Sequence, residues 1–416
     1  QWPYVGVDSP AFVEARDAGV LVRREGGGVL VLPGRNGPDF AVIDYSDPAA
    51  VRWIEDRLRP LFKMGISGFK VDFGEAAPAE GVYAGISSEE AHNAYPLLYG
   101  KAMWEATQRS RSPEDTVIWA RAGWAGSQRY PIHWSGDGLS RHEDLACVLR
   151  AALSMGLSGF PFYSHDIGGF LGVPTPELYV RWAQLGLFSS HARVHGLSPR
   201  EPWAFGPEAE AIVRRYTQLR YELLPYLWSE ARDCGRTSLP MLRHLVLAFP
   251  DDPTVRSIDD EYLLGDSLLV APVLDDGDAR DVYQPHGRWV EWHTGRILDG
   301  GQWLRAAAPL DVLPLYLRAG SIIPLGPRLS HTGERALDPL RLLIPEPAES
   351  GTYLVHDPDA DVNVSYSRVG DKLVVSVTGA RGDISVEIPG HSAREEDRST
   401  SAALDGTRRT EITLRL

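Results

Sequence analysis

From about residue 40 to about residue 235, short apolar runs alternate with stretches in which apolar positions recur at helical spacing. Strands and helices taking turns in this way predict parallel βα units. The first unit is the plainest. Asp47 is placed to cap a helix with Pro48 in its first turn, Val51, Ile54, Leu58 and Phe62 repeat along one face, and Gly65 can end it. Pro60 is expected to bend that helix. GFKVDF at 68–73 then reads as a buried strand, followed by a helix over 91–106. Further strands are predicted at TVIWAR (116–121), IHWSGD (132–137), GFPFYSHD (159–166) and HARVHG (191–196), with helices near 142–155 and 175–188 between them. A long helix from Pro207 to Asp233 closes the series, with a kink expected at Pro225.

Two stretches break the rhythm. Residues 20–45 carry Val/Leu runs around Gly26-Gly27-Gly28, which predicts a β-hairpin inserted into a loop, where such insertions often shape the mouth of a site. After about residue 238 the chain turns to short β-branched runs broken by Pro, Gly and Asp, such as SLLVAPVL (267–274), RWVEW (288–292) and IIPL (322–325). That pattern suits a β-sandwich. A second shift near 328, into LRLLIPEP, GTYLVH, VNVSYS, KLVVSVTG and DISVEIPG, predicts another all-β domain. The expected organisation is therefore an α/β part over 1–237, a proximal sandwich over 238–327 and a distal one over 328–416.

Composition narrows the function classes. A chain of 416 residues has room for two or three domains, one of them a barrel of the usual ~250 residues. No run approaches the ~18 to 20 apolar residues of a membrane span, so a membrane partner is not expected. A formal net charge of −14 opposes binding to a phosphate backbone, which excludes nucleic acid as the expected partner. Only Cys147 and Cys234 occur, neither in a metal-ligand spacing; reduced structural thiols and a cytoplasmic location are expected. The chain opens on Gln1 with no basic and apolar leader, so the start of the protein is expected upstream.

In a (β/α)8 barrel the chemistry lies at the C-terminal ends of the strands. Four predicted strands end in ionisable groups: Asp72, Arg121, Asp137 and the pair His165-Asp166. Strand alternation puts Lys70, Asp72 and Gly74 on one face, with Phe69, Val71 and Phe73 on the other. An ammonium beside Asp72 favours its carboxylate form, as a nucleophile requires, although a buried scaffold pair has the same spacing. Asp137 ends its strand among Trp134, Gly136 and Gly138, where partial desolvation would favour a protonated acid; a turn-forming Asp before Gly is the alternative. One charged and one protonated carboxyl are the minimum equipment for glycoside hydrolysis. Arg121 can orient a carboxylate or bind a hydroxyl, and His165 and Asp166 can bind sugar hydroxyls or serve as an internal strut. Trp53, Trp104, Trp119, Trp124, Trp134 and Trp203 are possible sugar platforms, most of them expected in the core. His191 and His195 have metal-pair spacing without an HExxH context, so no metal and no cofactor are expected.

These segments resemble glycoside hydrolase family 31, the α-glucosidase and α-xylosidase family. FKVDFGE (69–75) is similar to the nucleophile strand of its α-xylosidase branch, HWSGD (133–137) to its acid/base segment, and FYSHDIGGF (162–170) to its substrate-binding segment, with WARAGWAGSQRYP (119–131) between them. SSHARVHG, REPW, LRYELLPYLW and YLLGDSLLVAPV extend the likeness along the chain. The resemblance implies an α/β fold, a (β/α)8 TIM-type barrel incomplete at its N-terminal side and followed by two all-β sandwiches, with QWPYVGVDSP as the end of a third barrel strand. It implies Asp72 as nucleophile, Asp137 as acid/base, Arg121 as a ligand near the acid/base and His165 as a binder of hydroxyls. The expected activity is retaining, exo-acting hydrolysis of a small α-glycoside or oligosaccharide, with xylose as the expected terminal sugar. Lys70 and Phe73 are expected to close the space that a glucose hydroxymethyl group would fill, with Trp134 and Asp166 also contacting substrate. An α-glucosidase or a sulfoquinovosidase is the alternative within this chemistry. An inactive carbohydrate-binding remnant is the alternative of another class, and self-association covering open barrel edges is compatible with either.

Overall fold

The computed structural model describes residues 2–34, 37–392, 394–402 and 408–416, and its elements fall into two units, 1–134 and 135–416. The first unit runs β1 (Tyr4–Gly6), α1 (Pro10–Asp17), β2 (Val31–Leu32), β3 (Phe40–Val42), α2 (Pro48–Lys63), β4 (Phe69–Val71), α3 (Ser88–Ser110), β5 (Ile118–Ala120) and β6 (His133–Trp134). Local chemistry sets its boundaries. The Asp47 carboxylate accepts the Ala49 N–H at 2.7 Å to start α2, and Ser87 and Glu90 form a reciprocal capping box that starts α3. Pro60 falls in the last turn of α2, and the helix continues past it to Lys63.

β4 and β5 are parallel neighbours in the register Val71↔Ala120, and β5 continues the parallel arrangement to β6 through Ala120↔His133. Ile54 and Leu58 of α2, Tyr95, Tyr99 and Met103 of α3, and Val71 and Ile118 of the strands share one buried core. Gly26, Gly27 and Gly28 all take positive φ and turn the chain so that Arg23 pairs with Val29, the hairpin that the glycine run predicts. The opening residues differ from expectation. β1 pairs antiparallel with β3, so Tyr4–Gly6 and the segment around residues 31–42 form one three-stranded sheet, β1-β3-β2.

The second unit begins with α4 (His142–Leu157), β7 (Tyr163–Ser164), β8 (Asp166–Ile167), α5 (Pro176–Leu187), β9 (Arg193–Val194), α6 (Pro207–Glu222) and α7 (Leu224–Thr237). The predicted kinked helix is two helices. Pro225 lies in the first turn of α7, where its missing N–H leaves nothing unsatisfied, and the chain breaks at Leu223. Every residue of α5 from Leu178 to Leu187 is buried, including Arg181, whose guanidinium donates to the carbonyls of Gly277 (2.9 Å) and Ala308 (2.8 Å). That charged side chain ties the helix to the β-rich part of its own unit.

The β-rich part contains β10 (Leu242–Arg243), α8 (Leu245–Ala248), β11 (Tyr262–Leu264), β12 (Leu268–Val270), β13 (Ala279–Gln284), β14 (Arg288–Glu291), β15 (Ile297–Asp299), β16 (Gln302–Ala307), β17 (Leu315–Arg318) and β18 (Ile323–Leu325). It goes on through β19 (Leu340–Leu343), β20 (Ser350–Val355), β21 (Val362–Val369), β22 (Lys372–Thr378), β23 (Ile384–Glu387), β24 (Arg394–Ala402) and β25 (Arg408–Arg415). A six-stranded sheet, β10-β11-β12-β17-β14-β15, lies between two cores. Tyr262, Leu264, Leu268 and Val270 face the helices, and Leu263 and Leu269 face the core shared with the β13-β16 ribbon. Burial on both faces is why YLLGDSLLVAPV has no polar alternation. In the last sheet, β20-β21-β22-β25-β24, alternation returns: Leu373, Val375 and Val377 are buried opposite Leu414, Ile412 and Thr410. β18 pairs with β19, and β19 with β23, in the sheet that packs against this one.

Two carboxyls in this unit are buried without enough charge to compensate. Burial pushes Glu230 up to about 7 and Glu261 up to about 8, in both cases against the lowering effect of an arginine, Arg243 and Arg280 respectively. An unfolded chain releases these protons near 4.5, whereas the folded chain keeps them until about 7 and 8. Between those limits the folded state binds more protons, so stability falls as pH rises. The buried His133, His165 and His244 and the half-buried His191 act in the opposite sense only below about 6.5. A Glu261→Gln variant is therefore expected to gain melting temperature relative to the parent as pH climbs from 6 to 9. Parallel melting curves over that range would contradict the assignment.

Candidate active site

The first cluster is built by strand register. Val71 and Ala120 are partners, so the residues that follow them, Asp72 and Arg121, emerge side by side from the ends of parallel strands, with the Arg121 N–H bonded to the Val71 carbonyl at 3.0 Å. Arg121 Nη1 lies 3.1 Å from Asp72 Oδ1, and Lys70 Nζ lies 2.9 Å from Oδ2. The Phe73 N–H donates to Oδ1 at 3.0 Å. Asp72 thus sits in a cradle of two cations and one amide donor, largely but not wholly buried at 14% exposure. These partners complement a negatively charged oxygen pair.

The strand alternation extrapolated through Gly74 stops at Val71. Phe73 takes a φ of 60°, a conformation that a bulky side chain seldom adopts and that accompanies functional sites. Its ring is turned against Arg121, whose guanidinium carbon lies 4.1 Å from the ring centroid, and against Trp2 and Tyr4 at 5.3 and 5.4 Å. Glu75 was not singled out by the sequence reading, yet Arg121 Nη2 binds its Oε1 at 2.6 Å, so Arg121 spans two carboxylates. Its position three residues after the nucleophile candidate, beyond a turn, was the available signal. Trp134, an expected sugar contact, is buried and presents its ring to Lys70 Nζ at 4.9 Å.

In the second unit Asp137 follows β6 in a turn where Gly136 has a φ of 78° and its carbonyl accepts the Gly138 N–H at 3.2 Å. The side chain is exposed, not desolvated as the neighbouring tryptophan and glycines suggested; the turn carries it outward. His165 and Asp166 are both 2% exposed. Trp182 Nε1 can only donate, so His165 Nδ1 accepts it at 2.9 Å. The ring proton then lies on Nε2, 3.3 Å from Ser189 Oγ, whose hydroxyl donates onward to the Leu185 carbonyl. Burial, reinforced by the charge of Arg193, lowers His165 to about 3 and keeps it neutral. Asp166 Oδ1 receives Arg193 Nε at 2.7 Å, fixed by the parallel pair Asp166↔Arg193. His165 and Asp166 therefore have the partners of an internal strut. His191 and His195 flank β9 and not a helix turn; His191 packs on Phe162 and His195 on Phe170. Among the described residues no group of three or more His, Cys, Asp and Glu side chains is placed to hold a metal ion, and no helix is long and apolar enough to cross a membrane.

A parallel βα series with a cation-flanked aspartate at a strand end is the arrangement in which barrel enzymes place their chemistry, and here largely antiparallel sheets follow it. Residues 1–230 match the glycosyl hydrolases family 31 TIM-barrel domain, and residues 238–323 match the family 31 C-terminal domain. The chain belongs to glycoside hydrolase family 31. It is 37% identical over 357 residues to an α-xylosidase of Emericella nidulans, covering 82% of this chain and 45% of that protein. It is 34% identical over 408 residues to the α-xylosidase XylQ of Lactiplantibacillus pentosus, covering 93% and 52%. The fold matches a family 31 dextranase of Flavobacterium johnsoniae, solved with isomaltotriose, at a TM-score of 0.90 and 25% identity over all of this chain and 61% of that one. The chain spans about half the length of these curated relatives.

Proposed function

We propose that the protein is an exo-acting α-glycosidase that releases a terminal α-linked sugar, most readily xylose, from a small α-glycoside or oligosaccharide by double displacement. Residues 1–237 supply its catalytic barrel portion, 238–327 a proximal and 328–416 a distal sandwich. The observation that carries the reading is the Asp72 carboxylate held by Lys70, Arg121 and the Phe73 amide. A carboxylate fixed in this way at a strand end is positioned to attack. Asp137 protonates the departing glycosidic oxygen while Asp72 forms a covalent ester with the anomeric carbon, inverting it. Asp137, now a carboxylate, takes a proton from water; the water oxygen displaces Asp72, and the sugar leaves with its original α configuration. Asp137 is exposed in the free protein, so a substrate can reach it directly. His165 acts by holding its strand end in place through Trp182 and Ser189.

The xyloside preference rests on the FKVDFGE strand and on the two α-xylosidase relatives. Lys70 keeps a third of its side chain exposed beside Asp72, and the Phe73 ring is immobilised by Arg121, Trp2 and Tyr4. A rigid ring and an ammonium near the nucleophile narrow the space for a hydroxymethyl group. On the full-length protein, kcat/KM for nitrophenyl α-xyloside is expected to exceed that for the α-glucoside and the α-sulfoquinovoside. A preference for either of the other two would transfer the substrate assignment to that sugar and leave the mechanism standing.

A further inference from the structure

The corner between α6 and α7 borders a cavity of about 310 Å³ that the hydrolytic chemistry does not use. Tyr221 and Trp228 line it from the helices, Thr332 and Arg335 from the β18–β19 loop, and His356 and Asp357 from the β20–β21 loop. All of these residues belong to the second unit. None of Asp137, His165 and Asp166 lines the cavity, and its two loops lie beyond residues 238–323, the stretch matched to the family's C-terminal domain.

Hydrogen bonds fix the three segments to one another. The Gly326 N–H donates to the Glu222 carbonyl at 2.7 Å, and the Glu222 carboxylate accepts from Arg328 Nε at 2.6 Å and from Arg341 Nη1 at 3.2 Å. A Cβ at Gly326 would lie 3.2 Å from both Pro225 and Leu337, so glycine lets the loop approach the helix this closely. From the other loop, the His356 N–H donates to the buried Ser229 Oγ at 2.9 Å. His356 Nδ1 donates to the Asp361 carboxylate at 3.0 Å, which leaves Nε2 as the ring nitrogen for a ligand. Trp228 is 47% exposed although its neighbours Leu227 and Ser229 are buried.

Single exposed aromatic residues are ordinary on a surface, but a Trp and a Tyr lining one preformed cavity together with a few polar groups make up a small-molecule site. The lining selects the ligand. Arg335 and Asp357 carry opposite charges that offset, which favours a neutral molecule over an ion. The guanidinium only donates, the carboxylate only accepts, and the Thr332 hydroxyl does both, so a ligand with several hydroxyl groups meets a partner for each role. Aromatic rings suit the C–H face of a sugar ring. We propose that this cavity is a second, noncatalytic carbohydrate site that holds one or two sugar units of a neutral oligosaccharide, with Trp228 as its platform.

The choice of a sugar rests on the glycosidase reading, and the experiment separates the two. Full-length protein carrying Asp72→Ala, which leaves the sugar intact, is titrated calorimetrically with maltose and with an α-xylosyl-glucose disaccharide. Trp228→Ala and Asp357→Asn are then added singly to that background. The expected result is a site whose affinity falls about tenfold in Trp228→Ala and about threefold in Asp357→Asn. In protein that retains Asp72, the same two substitutions should leave kcat/KM for a nitrophenyl α-glycoside within about twofold of the parent. Titrations that neither substitution alters would overturn the site, as would a matching fall in kcat/KM, which would place both residues in the catalytic machinery or the fold. Trp228-dependent binding of anilinonaphthalene sulfonate that neither sugar displaces would also overturn it and make the cavity a site for apolar molecules. Trp228-dependent sugar binding by a protein that hydrolyses no α-glycoside would support the cavity and remove the glycosidase reading alone.

Discussion

An Asp72→Ala variant of the full-length protein is expected to lose at least about four orders of magnitude in kcat/KM, because the covalent route disappears altogether. The loss should appear in kcat on activated and unactivated substrates alike. Lys70 and Arg121 remain in place with Glu75 still available to Arg121, so the fold is expected to survive, as a melting curve would establish. A stereochemical signature accompanies the loss. Added azide can enter the space that the carboxylate vacated and attack the anomeric carbon directly, which converts an α-glycoside into a β-glycosyl azide. Retention of more than a few per cent of activity, or rescue that yields the α-azide, would move the nucleophile elsewhere.

The second large effect depends on the leaving group. In Asp137→Ala the loss should reach about a thousandfold for an alkyl glycoside, whose departing oxygen must be protonated. For a nitrophenyl glycoside the loss should be at least about tenfold smaller, because that oxygen is already a weak base. Azide should here restore turnover with the α configuration, since the ester on Asp72 still forms first. Equal losses on both substrates, with ester formation limiting each, would exclude Asp137 as the acid. Asp166 would be a poor replacement, buried and bound to Arg193 as it is.

Much of this molecule is written in short-range signals. Asp47, Pro48, Ser87 and Glu90 open helices by chemistry confined to a single turn, and the predicted boundaries there fall within a few residues of those observed. The Lys70/Asp72 pair was equally legible, because residues two apart in an extended chain share a face whatever surrounds them. The β-rich region could be read from its runs and turns, and the absence of alternation in YLLGDSLLVAPV carried the mark of a strand covered on both sides.

What the sequence could not contain is anything that depends on distant segments meeting. Arg121 comes to Asp72 only through the β4-β5 register, and Glu75 joins it only after the chain turns at Phe73 with a positive φ. The pairing of β1 with β3 likewise joins segments that local pattern treats separately. The burial of His165 and Asp166 and the exposure of Asp137 were beyond reach for the same reason: all three close polar strand ends in the sequence, and what covers each is supplied by other parts of the chain. By itself, then, the sequence determined the order of elements and the Lys70/Asp72 pair, because these rest on spacing and local conformation, and its motifs carried the resemblance to the family. Only the tertiary structure decided which ionisable groups face solvent and which are buried, because burial and cross-strand register are properties of segments far apart in the chain.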